Sequence, residues 1–176
     1  MLVNLRRAAA LSLVMIVLCL VYTGVETVVG QVFFRYQADG SLTKYGSIAI
    51  AQTWTGPQWF QGRDDSPNPQ ASGPTNYGPR SIQLYQQVKT KAAQLEKEGI
   101  TPTNGLVTGS GSGLDPDIAP ADAYAQVNAV AKANGLPFSE VRALVASHVA
   151  GSYFGIFGSP YVNVLLLNEG LAKLKS

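Results

Sequence analysis

The stretch RRAAALSLVMIVLCLVYTGV, residues 6–25, limits what this chain can fold into more than any other segment. Behind Arg6 and Arg7 come 18 residues, Ala8 to Val25, without a charge. That length and composition suit a helix crossing a bilayer, whose hydrocarbon core is about 30 Å thick. Apolar character resumes after Glu26 through TVVGQVFF, so a single helix from Ala8 to Phe34 would run about 40 Å at 1.5 Å per residue. Its far end should therefore emerge from the lipid. A secretory signal peptide also begins basic and then turns apolar, and VVG before Gln31 resembles a small-residue cleavage site. Its apolar region, however, runs to about 7–15 residues, shorter than this one. Lipid attachment at Cys19 is disfavoured because Leu18 occupies the position where a small residue is needed. Cys19 reads as a lipid-facing or packing residue, and as the only cysteine it cannot form an internal disulfide.

Basic residues flanking a span stay on the cytoplasmic side. Arg6 and Arg7 thus place the amino terminus in the cytoplasm and residues 35–176 outside it, in a single-pass cell-membrane protein. Residues 1–34 make up the terminus and span, and residues 35–176 form one external domain. Glu26 falls about 27 Å along the helix from Ala8, near the outer headgroups, which suits an interfacial carboxylate better than an ion pathway. Setting aside Arg6, Arg7 and Glu26, the external part carries 11 basic and 10 acidic residues. So even a mixture offers no basic face for nucleic acid.

The external part reads as α+β, with about four helices and a small sheet. A turn is expected at Asp39 and Gly40, and the β-branched and aromatic content of Ile48 to Trp54 predicts a strand. From Thr55 to Pro79 the chain is rich in Gly, Pro, Asn and Ser, which predicts a long irregular loop, with Trp59 and Phe60 needing something to pack on. Helical periodicity then places Ile82, Tyr85, Val88, Ala92 and Leu95 on one face, with Gly99 as a stop. GLVT, residues 105–108, reads as a short strand. Pro120 opens a helix through Tyr124, Val127, Ala131 and Asn134 that Gly135 ends. Ser139 is the expected N-cap of EVRALVASHV, whose Val141, Leu144, Val145 and His148 share a side. After another irregular piece, AGSYFGIFGSP, a last helix is expected from Tyr161, with Val164, Leu167, Leu171 and Leu174 in register.

The segment VTGSGSGLDPDIAP, residues 107–120, has the look of a phosphate-cradling loop. It fails the tests for one. No lysine is present for GxxxxGK[ST]. In GxGxxG, a start at Gly109 ends on Leu114 and a start at Gly111 ends on Pro116. The hydrolase elbow GxSxG fails because Gly111 stands where the serine must be. A tight turn or a close backbone contact remains. His148, the only histidine, lies on an apolar helical face and has no serine or carboxylate in motif relation to it. A secreted or membrane-anchored serine hydrolase would need His148 to meet Ser110 or Ser112. One histidine and one membrane cysteine do not make a zinc site, and the pairs Asp64 with Asp65 and Asp115 with Asp117 match no EF-hand loop. No metal site or catalytic residue is assigned.

Several strings occur in an order that resembles the KdpC subunit of the Kdp potassium-transporting P-type ATPase. QADGSL follows the span. GSIAIAQTW is similar to GSALIGQ, WFQGRDDS to YFxGRPS, and ASGPTNYGP to ASGGSNxGP. The loop is similar to VTxSxSGLDP, and AQVNAVAKANG, VRALVASHV and VNVLLLNEGL complete a match covering nearly the whole chain. The resemblance implies a non-catalytic accessory subunit of an ATP-driven, high-affinity potassium uptake complex. Such a subunit stabilises assembly and the outer face near the potassium entrance. It implies a channel-like KdpA, a catalytic KdpB and a small KdpF as partners, with the bilayer. ATP and Mg would belong to the catalytic partner, leaving this chain without a cofactor. The signature positions are Ser110, Gly111, Ser112, Gly113, Leu114, Asp115 and Pro116. The family is also credited with raising the ATP affinity of the catalytic subunit, which by resemblance makes Gln126 a nucleotide contact. The arginine rule places Gln126 across the bilayer from cytoplasmic ATP. Asp117 stands where histidine or another polar residue is common, and Val149 and Ala150 replace a polar pair.

Overall fold

The computed structural model describes residues 2–65, 68, 71–152 and 154–175. Ser66, Pro67, Pro69 and Gln70 of the long irregular run, and Tyr153 of the later one, lie outside the described residues. The chain divides into two compact units, residues 1–42 and 43–176.

The first unit is dominated by helix α1, Leu2–Phe33, in which no residue is buried. Its 32 residues extend about 48 Å. Leu, Val, Ile and Phe side chains along it stand open, as lipid or a partner would require. A one-turn helix α2, Arg35–Ala38, follows, and the expected turn forms at Asp39 and Gly40, with Gly40 at φ +89°. Arg35 and Asp39 pair at 3.5 Å on its exposed surface.

Strands β1, Leu42–Thr43, and β2, Gly46–Ser47, make a small hairpin. The predicted strand from Ile48 to Trp54 does not form, because its backbone groups are drawn to loops instead of a ladder. Ala51 N–H donates to the Leu114 carbonyl at 2.9 Å, and the Ile48 carbonyl accepts from the Asn163 side chain at 2.9 Å. Trp54 still finds aromatic neighbours, with Trp59 at 5.1 Å and Tyr45 at 6.1 Å between ring centroids.

Helix α3, Ile82–Lys97, is capped by Ser81, whose hydroxyl accepts from Leu84 N–H, and Gly99 beyond it takes φ +75°. Only its carboxyl-terminal half is buried. Leu95 is sealed and Val88 and Ala92 pack beside it, while Ile82 and Tyr85 are 68% and 67% exposed. GLVT forms a one-turn helix, α4, Asn104–Val107, in place of the predicted strand. The Thr103 hydroxyl caps it by accepting from Leu106 N–H, which turns Leu106 and Val107 inward onto Leu95 and Ile100.

The main core lies among α5, Pro120–Asn134, α6, Phe138–Ser147, and α7, Val164–Leu174. With them packs an antiparallel sheet of order β3–β5–β4: Asp117–Ile118, Tyr161–Asn163 and Val149–Ala150. Val162 faces Ile118 on one side and Val149 on the other. Helix α5 has Pro120 in its first turn and ends on Gly135 at φ +65°. It contributes Val127, Val130 and Ala131 to this core and Ala129 to the smaller cluster beneath α3.

Two helix starts differ from expectation. Ser139 is not a cap, since α6 begins at Phe138 behind Pro137, whose fixed φ starts the turn without a side-chain acceptor. The last helix begins at Val164 because Tyr161–Asn163 is drawn into the sheet. The Asn163 side chain then accepts from Leu166 N–H at 3.2 Å and ends the strand.

Candidate functional site

The signature loop is held by Asp65, which arrives from the irregular segment. Its carboxylate accepts from Ser110 N–H at 2.6 Å, the Ser110 hydroxyl at 2.7 Å and Asp115 N–H at 3.2 Å. Three donors converging on one carboxylate close the loop into a fixed turn. Ser110 Oγ also accepts from Gly113 N–H, and Ser112 Oγ accepts from Leu114 N–H. The Ser112 carbonyl takes two further bonds, from Gly73 N–H at 2.8 Å and Ser72 Oγ at 2.9 Å. Arg63 donates to the Gly109 carbonyl at 3.1 Å, with its Nε 4.0 Å from an Asp115 oxygen. The Pro116 carbonyl accepts from Val164 N–H, tying the loop to α7.

One glycine is needed by contact and a second sits close to its neighbour. A Cβ on Gly113 would lie 2.6 Å from the Gly73 carbonyl, at a φ of +68° that side chains avoid. One on Gly109 would lie 3.1 Å from an Asp65 oxygen. The backbone N–H groups of Ser110, Gly113, Leu114 and Asp115 are thus committed within the protein, whereas a phosphate cradle needs them free. The hollow beside the loop, lined by Asp64, Asp65, Gln87 and Ser110, measures only about 150 Å³. Ligand pockets begin at about 300 Å³.

The other acids are likewise engaged. Asp64 meets Gln87 at 2.9 Å and Lys91 at 3.8 Å. Asp117 accepts from Asn163 Nδ2 at 2.9 Å. Burial raises the Asp117 carboxyl above its usual pKa; the Asn163 hydrogen bond partly offsets this, and the Asp115 charge adds to it. Among the described residues no group of three or more His, Cys, Asp or Glu side chains is arranged to hold a metal.

Gln126 lies on α5 away from the loop and is fully buried. Its Oε1 accepts from Gln61 N–H at 2.7 Å, and its Nε2 donates to the Gln61 carbonyl at 3.0 Å and the Asp122 carbonyl at 3.3 Å. Asn168 on α7, also fully buried, repeats the arrangement one residue earlier. Its Oδ1 accepts from Phe60 N–H and its Nδ2 donates to the Phe60 carbonyl, both at 2.9 Å. Successive residues of an extended chain point their backbone groups to opposite sides. The Phe60–Gln61 strap therefore runs as a central strand does, with a side-chain amide standing in for each neighbour. The Gln61 side chain continues outward to Glu98.

His148 ends α6. Its Nδ1 lies 2.8 Å from the Leu144 carbonyl and 3.2 Å from Ser147 Oγ, and the ring packs over Gly170. Among the described residues no hydrogen bond joins it to Ser110 or Ser112, and Ser110 is given to Asp65. The hydrolase constellation is not assembled.

Several residues that build this region, Asp65, Arg63, Asn163 and Asn168, fall inside the matched strings WFQGRDDS and VNVLLLNEGL, but no role in holding the loop or the strap follows for them from the sequence alone. One signal was available. Asn168 follows Leu167 on a face with Val164 and Leu171, and Gln126 precedes Val127 below Ala123 and Val130. An amide on an apolar helical stripe implies a buried partner.

Among the described residues one wholly exposed helix, Leu2–Phe33, is long and apolar enough to cross a membrane, and an α+β unit follows it in the chain. The sequence matches the family described as K+-transporting ATPase, c chain, over residues 5–173, and the chain belongs to this KdpC family. A protein of Synechocystis sp. named potassium-transporting ATPase KdpC subunit is 40% identical, covering 91% of this chain and 92% of its own length. Its namesake in Sorangium cellulosum is 42% identical over 97% of this chain and 98% of its own. A third, in Caldanaerobacter subterraneus, is 40% identical over 96% and 94%. Membership assigns the chain an accessory place in potassium uptake.

Proposed function

We propose that this chain is a non-catalytic subunit that stabilises an ATP-driven potassium pump at its outer face. α1 anchors it, with the amino terminus cytoplasmic, and the folded unit stands outside beside the potassium entrance. The partners are a channel-like KdpA, a catalytic KdpB and a small KdpF. Ions are selected in the channel-like partner, where rings of carbonyls can replace water, and ATP with Mg belongs to the catalytic one.

The observation that carries this reading is the internal use of the loop amides and of the Gln126 carboxamide. The loop amides serve Asp65 and the two serines, and the Gln126 carboxamide serves the strap. We assign Gln126 a structural role instead of a nucleotide contact. Reaching a nucleotide would mean breaking its bonds to Gln61 and opening the core.

The side of the membrane is tested by a cysteine replacing Ser112 in a Cys19→Ser background, probed on intact cells with a membrane-impermeant maleimide. Labelling is expected. Protection until the cells are broken would place the loop in the cytoplasm and return ATP to consideration.

A further inference from the structure

We infer that the loop joining β4 to β5 dips its apolar tip into the headgroup boundary of the bilayer that α1 crosses, giving the folded unit a second hold on lipid. This rests on the reading of α1 as a membrane anchor. Residues 151–160, GSYFGIFGSP, carry no charge. Three of their side chains stand in the open: Phe154 is 83% exposed, Ile156 78% and Phe157 66%. The core beneath the strands closes without them, around a sealed Val162. Large apolar side chains clustered on a protrusion mark a surface that meets a membrane or another protein.

The backbone fixes this tip. Val149 pairs with Val162 and Ala150 with Tyr161, so strands pin both ends of the loop, and within it Gly155 N–H donates to the Ser152 carbonyl at 3.0 Å. Gly155 and Gly158 take φ of +73° and +78°, and Phe154 takes +52°, a left-handed conformation that a side chain of this size avoids. Strain of this kind is retained where a function uses the resulting shape. Polarity is graded along the loop, with Ser152, Ser159 and Tyr161 at its base and the apolar residues at its tip. That order matches the passage from water to acyl chain.

Lipid fits better than protein. Three side chains of this kind present roughly 500 Å². A standard protein interface takes about 800 Å² from each partner and adds a polar rim, which an uncharged loop does not supply. Insertion at a headgroup boundary needs neither. Reach is also adequate. The folded unit begins at Thr43, ten positions beyond the end of α1 at Phe33, and the Ile48 carbonyl accepts from the Asn163 side chain at 2.9 Å. From Asn163, β5 covers about 7 Å to Tyr161, and each arm of the loop extends at most about 17 Å further. The tip therefore lies within about 25 Å of Ile48, a residue tied by a short tether to the span.

The test uses the full-length chain in phosphatidylcholine nanodiscs, with an environment-sensitive fluorophore on a cysteine replacing Ile156 in a Cys19→Ser background. Lipids bearing a nitroxide high in the acyl chain serve as quencher. Insertion to a depth of about 5–10 Å brings the probe beside the nitroxide, so fluorescence should fall at least about twofold, equally at low and high salt. The same probe on a cysteine replacing Gln83, exposed on α3, should be unaffected. Phe157→Ser, and Phe154→Ser combined with Phe157→Ser, should weaken quenching stepwise without lowering the melting temperature, since neither side chain is buried. Adding the other subunits should leave the quenching in place. Its loss on assembly would give the loop to a protein partner and overturn the inference, as would equal quenching at Gln83. An unquenched Ile156 probe, with a probe on native Cys19 quenched, overturns the inference and leaves the anchor standing. An unquenched Cys19 probe overturns both.

Discussion

Replacing Gln126 with leucine separates a structural strut from a nucleotide contact. The two residues are similar in volume, so the substitution creates little cavity, and what it removes is polar. Gln61 loses the acceptor for its N–H and the donor to its carbonyl, both inside a residue only 2% exposed. Asp122 keeps its helical partner, since Gln126 N–H lies four residues on in α5. Each unpaired buried backbone group costs about 1–3 kcal/mol, giving about 2–6 kcal/mol. The buried leucine offsets part of this, about 1–2 kcal/mol, and leaves a net loss of about 1–4 kcal/mol. At about 3–5 °C per kcal/mol for a unit of this size, the melting temperature should fall by about 3–20 °C. Thermal unfolding of the full-length chain in detergent, followed by near-ultraviolet circular dichroism, reads it directly. Gln126→Glu should also destabilise, because a carboxylate keeps an acceptor but cannot donate to the Gln61 carbonyl. A melting temperature within 2 °C of the parent, together with weaker ATP binding by the assembled pump, would refute the strut and restore the nucleotide contact.

Gly113→Ala combines a positive φ with a Cβ 2.6 Å from the Gly73 carbonyl, so it should cost about 2 kcal/mol or more and open the loop to limited proteolysis. Asp65→Ala strands the donors at Ser110 and Asp115, and hydrogen exchange at those two amides should rise at least about tenfold while α5 and α7 amides stay protected. Asp117→Asn removes a charge whose folded pKa is raised, and the asparagine oxygen still accepts from Asn163. A raised folded pKa means the native state binds the proton more tightly than the unfolded one. The penalty is therefore complete above the folded pKa and disappears as pH falls through it toward the unfolded value. The variant should be at least as stable as the parent at pH 7 and lose that advantage in acid, as chemical unfolding at both pH values will show. His148→Ala should leave potassium-stimulated ATP hydrolysis of the complex within about twofold, since its hydrogen bonds stay within α6 and the adjoining serine.

Much of the fold is legible in the sequence because its signals are local. Apolar periodicity with Pro120 and Gly135 at the ends marks α5, and a run without charge marks α1. Where expectation and structure part, a distant partner decides. Ile48 to Trp54 has the composition of a strand, yet Asn163 and Leu114 take its backbone groups. Tyr161 to Asn163 continues a helical pattern, yet Val162 completes a sheet with Ile118 and Val149. GLVT is too short for propensity to hold against a threonine cap and two side chains drawn into the core.

What the sequence determines by itself is the class: a basic-flanked apolar run long enough to cross a membrane, a nearly neutral remainder, and an ordered set of strings belonging to one family. These depend on composition and on residues close together in the chain. Only the tertiary structure decides what the glycine-rich loop and the buried amides are for. Ser110 lies 45 residues from Asp65, Gln126 lies 65 from Gln61, and Asn168 lies 108 from Phe60. Hydrogen bonds across such separations leave no periodicity to read. The compact core brings these groups together, and the loop that looked made for phosphate closes on a carboxylate of its own chain.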